Sequence, residues 1–123
     1  MTETFILDIP SNEWLTQNMR LHWAQVARRK KAVRQRARLE ARRQGIRPRS
    51  GKTIATILVG YPSARRADPE NAAPTIKACI DGLVDAGVLT DDSAEFWAHG
   101  TDRDPEKTAP GTYRLTIRME KER

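Results

Sequence analysis

Cysteine occurs once in the 123 residues, at Cys79, and histidine twice, at His22 and His99. One thiol excludes an internal disulfide and a multi-cysteine zinc site, and two distant histidines do not suggest a zinc pair. No run approaches the roughly 18 consecutive apolar residues of a membrane helix. The opening MTETFILDIPSNEW lacks the basic start and apolar core of a signal peptide, so a cytoplasmic location and no membrane partner are expected. Aromatic residues make up only 6% and hydrophobic residues 38% of the chain, against 31% charged. Such a composition folds, but around a small core that fits one domain, residues 1–123, and gains from burial against a partner subunit.

Acids are the scarcest class where bases are most abundant. Residues 20–49 hold twelve lysines and arginines and a single acid, Glu40, whereas residues 68–106 hold ten acids against Lys77 and Arg103. The overall charge of +6 therefore averages a block of +11 and a block of −8. A solvated helix normally mixes signs for i,i+4 pairing, and this one has almost no acid to pair with. A one-sided field of that kind attracts polyanions and releases their counterions, which makes nucleic acid the first candidate partner. Arg20, Arg28, Arg29, Lys30, Lys31, Arg34 and Arg38 are the candidate contacts on this block, joined by Arg65 and Arg66 further on.

Hydrophobic periodicity divides the chain into six elements. Thr4 to Ile9 reads as a strand closed by Pro10, and Asn18 is placed to cap a long helix from Met19. Trp23, Val26, Val33, Ala37 and Ala41 give that helix a narrow apolar stripe, and Gly45 stops it. Thr53 to Val59 is rich in β-branched residues, as expected of an interior strand with much of both faces covered. Ile76, Cys79, Ile80, Leu83 and Val84 mark a second helix with Pro74 in its first turn and Gly87 at its end, which makes Cys79 a core residue. Glu95 to His99 is a short strand candidate, Gly100 to Gly111 a long turn, and Thr112 to Met119 an alternating, half-buried strand. The order β-α-β-α-β-β predicts a single α+β domain, with about four mostly antiparallel strands and two helices against one face.

The acidic block contains the candidate chemistry. Pro69 biases Asp68 toward extended backbone, and in an extended chain Asp68 and Glu70 point the same way. Paired hard-oxygen ligands suit Mg²⁺, with Mn²⁺ as an alternative, and Asp91-Asp92 after the second helix can bring a third carboxylate to the same end. Asp68 and Glu70 can equally do no more than cap and complement a helix N-terminus. Lys77 either faces these carboxylates or pairs with Asp81 at i+4. A cationic surface joined to a carboxylate cluster and a lysine is what metal-dependent phosphodiester hydrolysis requires.

Arg66, Asp68, Glu70, Asn71, Lys77-Ala78, the run Asp81-Gly82-Leu83-Val84-Asp85-Ala86-Gly87-Val88-Leu89 and Asp91-Asp92 together resemble the RusA-type Holliday-junction resolvases of phages, prophages and bacteria. Pro10-Ser11-Asn12, Asn18, Arg20 and His22 look like that family's N-terminal segment. The resemblance implies a homodimeric, Mg²⁺-dependent endonuclease that resolves four-way DNA junctions by paired symmetric nicks, in recombination or repair. Residue by residue it implies Asp68, Glu70 and Asp92 as the metal-binding acids and Lys77 as the catalytic lysine. Here the second acid is glutamate where the best-known members have aspartate, and Ala72-Ala73-Pro74 lengthen the step from Asn71 to Lys77.

Two other functions stay open at this level: a non-catalytic basic DNA-binding module, and a metal-dependent nuclease with flap or simple nicking preference. His22 either contacts phosphate or caps the basic helix. Trp14, Trp23 and Trp97 either stack on unpaired bases or pack in the core or a dimer interface.

Overall fold

The computed structural model describes residues 2–122. Its strands are β1 (Glu3–Pro10), β2 (Thr53–Gly60), β3 (Trp97–Arg103) and β4 (Thr112–Lys121), and its helices α1 (Trp23–Arg43) and α2 (Ala73–Asp85), with a 3₁₀ turn at Pro69–Ala72. The strands form one sheet in the order β1-β4-β2-β3. β4 lies antiparallel to both β1 and β2, while β3 runs parallel to β2. The chain is thus the α+β domain expected, in the element order expected.

Alternation builds the core. Phe5, Leu7 and Ile9 of β1, Ala55, Ile57 and Val59 of β2, and Leu115, Ile117 and Met119 of β4 are all buried on one face of the sheet. Against them pack Val33, Ala37 and Ala41 of α1 and Ile76, Cys79, Ile80 and Leu83 of α2. With both helices on that face, the other stays open, and Ile6 and Ile54 are 41% and 38% exposed there. The expectation that β2 has much of both faces covered is therefore corrected. Its β-branched run reflects fit to a pleated surface and a central position in the sheet, not a second layer. The edge of β1 is closed by Gln44, whose side chain accepts from the Ile6 N–H at 3.2 Å and donates to the Ile6 carbonyl at 2.6 Å.

Both helices end on a glycine in left-handed backbone, Gly45 at φ 67° and Gly87 at φ 79°. After α1 the amides of Gly45 and Ile46 bond back to the carbonyls of Arg42 and Ala41, and after α2 those of Gly87 and Val88 bond back to Val84 and Leu83. The start of α1 differs from expectation. The helix begins at Trp23, four residues later than Met19, and His22 rather than Asn18 caps it, its Nδ1 accepting from the Ala24 N–H at 3.2 Å. Asn18 lies in a turn, and residues 18–22 are non-helical. β3 also differs: it begins at Trp97 and continues through Gly100 to Arg103, into residues expected to be a turn. Parallel pairing with β2 supplies backbone bonds to a polar stretch whose own sequence has little strand character. Among the described residues no helix is long and apolar enough to cross a membrane.

Candidate active site

Asp68 has extended backbone, φ −91° and ψ 115°, as the following proline dictates. Its carboxylate caps the 3₁₀ turn, accepting from the Glu70 N–H at 3.0 Å. Glu70 lies inside that turn, where residues three apart eclipse each other and residues two apart do not. Extended-chain alternation therefore does not align Asp68 with Glu70, and the capping role foreseen for Asp68 is realised on the 3₁₀ turn instead of on α2. Both side chains remain at the surface.

The segment after β1 is tied to this turn. The Gln17 N–H donates to the Asn71 carbonyl at 2.9 Å, and the Arg29 guanidinium of α1 donates to the Trp14 carbonyl at 2.9 Å. The hydroxyl of the fully buried Thr75 accepts from the Leu15 N–H at 2.9 Å and donates to the Leu15 carbonyl at 2.7 Å. The first turn of α2 is thus fixed against residues 15–17, and among the described residues no buried side-chain nitrogen or oxygen is left unpaired. On the other side, Arg103 of β3 lies 4.6 Å over the Tyr61 ring and donates to the carbonyls of Ser63 and Arg65 at 3.0 and 2.8 Å. It fixes the loop that leads to Asp68. Nothing in the sequence marked Arg103, because the parallel pairing that puts it there is a long-range contact.

Lys77 is the residue the structure joins most closely to other site candidates. Its ammonium bonds the Asp81 carboxylate at 2.8 Å, one turn on, and also the Asp92 carboxylate from the loop after α2. The Asp92 N–H is in turn held by the Asp91 carboxylate at 2.7 Å. The two acids raise the Lys77 pKa above its ordinary value, Asp81 most, so the amine is ionised at neutral pH. The Lys77 hydrogen bond holds Asp92 below the usual carboxylate range. Lys77 therefore pairs at i+4, and of the predicted site acids it bonds Asp92 but neither Asp68 nor Glu70.

Two clefts meet at this lysine. A groove of about 700 Å³ between α1 and α2 is lined by Lys30, Lys31, Arg34 and Lys77, with Asp81 as its one acid. A second cleft of about 470 Å³ is lined by Glu70, Lys77 and His99. His99 enters the site region although no role was argued for it. Its Nδ1 accepts from the Trp97 indole N–H at 2.9 Å, and burial lowers its pKa, so the ring is neutral at neutral pH with its proton on Nε2.

Asp68, Glu70 and Asp92 offer hard oxygens of the kind Mg²⁺ takes, but among the described residues no three carboxylate, histidine or cysteine side chains gather closely enough to hold an ion. The donor set fits the metal in kind and not in position. Asp92 is satisfied by an ammonium and Asp68 by a backbone amide.

Of the nine basic residues nominated for nucleic acid, Arg34 is committed to Asp85 through two bonds of 2.5 and 2.8 Å, and Arg29 to backbone carbonyls. Arg20, Arg28, Lys30, Lys31, Arg38, Arg65 and Arg66 make no ion pair with any described carboxylate. No family model matches this chain, and no curated protein matches it.

Proposed function

We propose that the chain is a structure-selective, divalent-metal-dependent DNA endonuclease, a cytoplasmic homodimer that resolves four-way junctions by paired nicks. One observation carries this reading: an ionised Lys77, held by Asp81 and Asp92, stands between a cationic groove and a cleft that bears Glu70. Lys30 and Lys31 are suited to neutralise backbone phosphates and lay a strand along the groove. Lys77 then offsets the negative charge that grows on the phosphoryl oxygens as water attacks. With mainly backbone contacts available, selection among DNAs rests on shape, and a two-fold dimer matches the approximate two-fold symmetry of a four-way junction. Mg²⁺ or Mn²⁺ would draw on Asp68, Glu70 and Asp92, which must close up to share one ion.

That separation is what favours the second reading, a basic DNA-binding module without catalysis. A nicking assay decides between them, using a synthetic immobile junction and linear duplex of the same sequence, in Mg²⁺, Mn²⁺ or EDTA, beside Asp68→Asn and Lys77→Met proteins. Symmetric cuts on the junction alone, lost in EDTA and in both variants, are expected. Tight binding with no cut in either metal overturns the enzyme, and equal cutting of linear duplex overturns junction selectivity.

A further inference from the structure

The three tryptophans have separated into two kinds. Trp14 and Trp97 are 1% and 5% exposed, and Trp14 stacks on Tyr113 with ring centroids 4.4 Å apart. Trp23 is 76% exposed. It begins α1 on the same helical stripe that Ala37 and Ala41 bury further along, so the sequence pattern marked it as core, yet nothing covers it. Its only aromatic neighbour is His22, tilted against it at 5.4 Å.

The surroundings of Trp23 limit what can cover it. No acid occurs between Glu13 and Glu40, whereas Arg20, Arg28, Lys30 and Lys31 all lie within this span without a described ion-pair partner. A second copy of the chain docked here across a two-fold axis would place these cations against their own images. An apolar or acidic peptide would meet only part of the surface. A chain of phosphates with planar rings matches both the charge and the indole. Residues seven apart share a helix face, so Lys30 stands about 10 Å along the axis from Trp23 on the same side, and Lys30 lines the groove that Lys77 also lines.

We infer that Trp23 is a stacking platform for an unpaired nucleobase, set about two helical turns before Lys30 of the cationic groove, so that the protein grips single-stranded segments of branched DNA as well as its duplex arms. This rests on the DNA-binding part of the function proposed above, and it adds a selectivity for unpaired bases that phosphate contacts alone do not provide.

The test compares wild type with Trp23→Ala and Trp23→Phe proteins, using circular dichroism to confirm the fold. The probes are an oligothymidine, a paired duplex of equal length and the four-way junction, each with a fluorescent end label for anisotropy. Intrinsic tryptophan emission is followed in parallel. Oligothymidine is expected to quench the emission of wild type and to bind Trp23→Ala roughly 5- to 160-fold more weakly, the range for loss of one base–aromatic stack. Trp23→Phe should keep most of the affinity, and duplex should bind all three proteins equally. Equal oligothymidine affinity for wild type and Trp23→Ala overturns the inference while leaving DNA binding intact. So does equal weakening on duplex and single strand. A wild-type dimer that becomes monomeric on Trp23→Ala assigns the ring to a contact between copies instead. If wild type binds none of the three DNAs at low salt, the proposed function falls, and the stacking platform with it.

Discussion

Gly82 sits where α1 and α2 come closest. A Cβ placed on it would lie 2.4 Å from the Arg34 carbonyl oxygen, 2.6 Å from the Ala37 Cβ and 3.2 Å from the Arg38 nitrogen. Non-bonded heavy atoms settle near 3.5 Å, so Gly82→Ala must drive the helices about 1 Å apart. The clashing atoms are backbone and a Cβ, with no rotamer to swing away, which puts the cost at the upper end of the overpacking range, about 3 kcal/mol. Alanine returns about 1 kcal/mol through its better helix propensity. The net loss is about 2 kcal/mol. Unfolding entropy for a chain of this size is about 0.26 kcal/mol/K, so Tm should drop by about 8 °C. The assay is thermal unfolding followed by circular dichroism, with Gly100→Ala as control. Gly100 has nothing within 4 Å of its missing Cβ and no positive φ, so the control should stay within about 0.5 kcal/mol of wild type. Because Arg34 bonds Asp85 across the same seam and lines the groove, Gly82→Ala should also weaken DNA binding at temperatures where it is fully folded. A Gly82→Ala protein as stable as wild type, or more stable through helix propensity, would refute the close-packed seam.

The remaining predictions concern charge and the thiol. Lys30→Ala/Lys31→Ala should flatten the slope of log affinity against log salt by about two units on duplex, read by fluorescence anisotropy, with Tm unchanged because neither lysine pairs with a described carboxylate. Asp85 is held below the usual carboxylate range chiefly by its hydrogen bond from Arg34. A carboxylate with a lowered folded pKa stabilises above its unfolded pKa and loses that contribution as pH falls through the folded value, so the benefit of Asp85 is intact above about pH 4, declines progressively below it and is gone only once pH has passed below the lowered folded value. The pair is largely solvated, with 50% and 31% of the two side chains exposed, so urea titrations should separate wild type from Asp85→Asn by less than about 1 kcal/mol at neutral pH and by nothing in strong acid. Cys79 is fully buried and burial pushes its thiol up to about 12, so a thiol reagent at pH near 8 should label it only after unfolding.

What was legible in the sequence had a local cause. The alternation in Thr112 to Met119, the glycine after each helix and the i, i+3, i+4 spacing around Cys79 each declare an element from within it, and each element is present. Gly82 was visible only as part of a motif, and its reason, the approach of α1, belongs to another element. Features that depend on a distant partner were misread or missed. Gly100 to Arg103 becomes strand because β2 lies beside it, and Arg103 and His99 reach the site region by that same pairing. Trp23 matches the stripe of α1 in period but lies beyond what the rest of the fold covers. In the acidic segment, Pro69 correctly fixed the backbone of Asp68, but the 3₁₀ turn that follows cancels the alternation assumed for Glu70.

The basic block keeps its character only in part, and where it does so bears on the proposed role. Between positions 34 and 49, Arg34, Arg36, Arg43 and Arg49 are answered by Asp85, Glu13, Glu40 and Glu3. Arg43–Glu40 lies within α1, and the other three pairs bind α1 and the segment after it to α2, to the N-terminal segment and to β1. Between positions 20 and 31 no cation meets a described carboxylate, and Arg29 alone is spent on carbonyls. Arg38, Arg42 and Arg47 stand among these pairs without a described carboxylate of their own, so what sets the earlier stretch apart is that none of its cations is answered. The stretch from Arg20 to Lys31 holds no acid at all, and its Lys30 and Lys31 line the groove in which Lys77 is kept ionised by two carboxylates. A folded chain tolerates such self-repulsion when a polyanion relieves it. Neutral duplex analogues with the phosphate charge removed should therefore lose nearly all affinity, whereas a protein that still bound them would owe its grip to something other than this stretch.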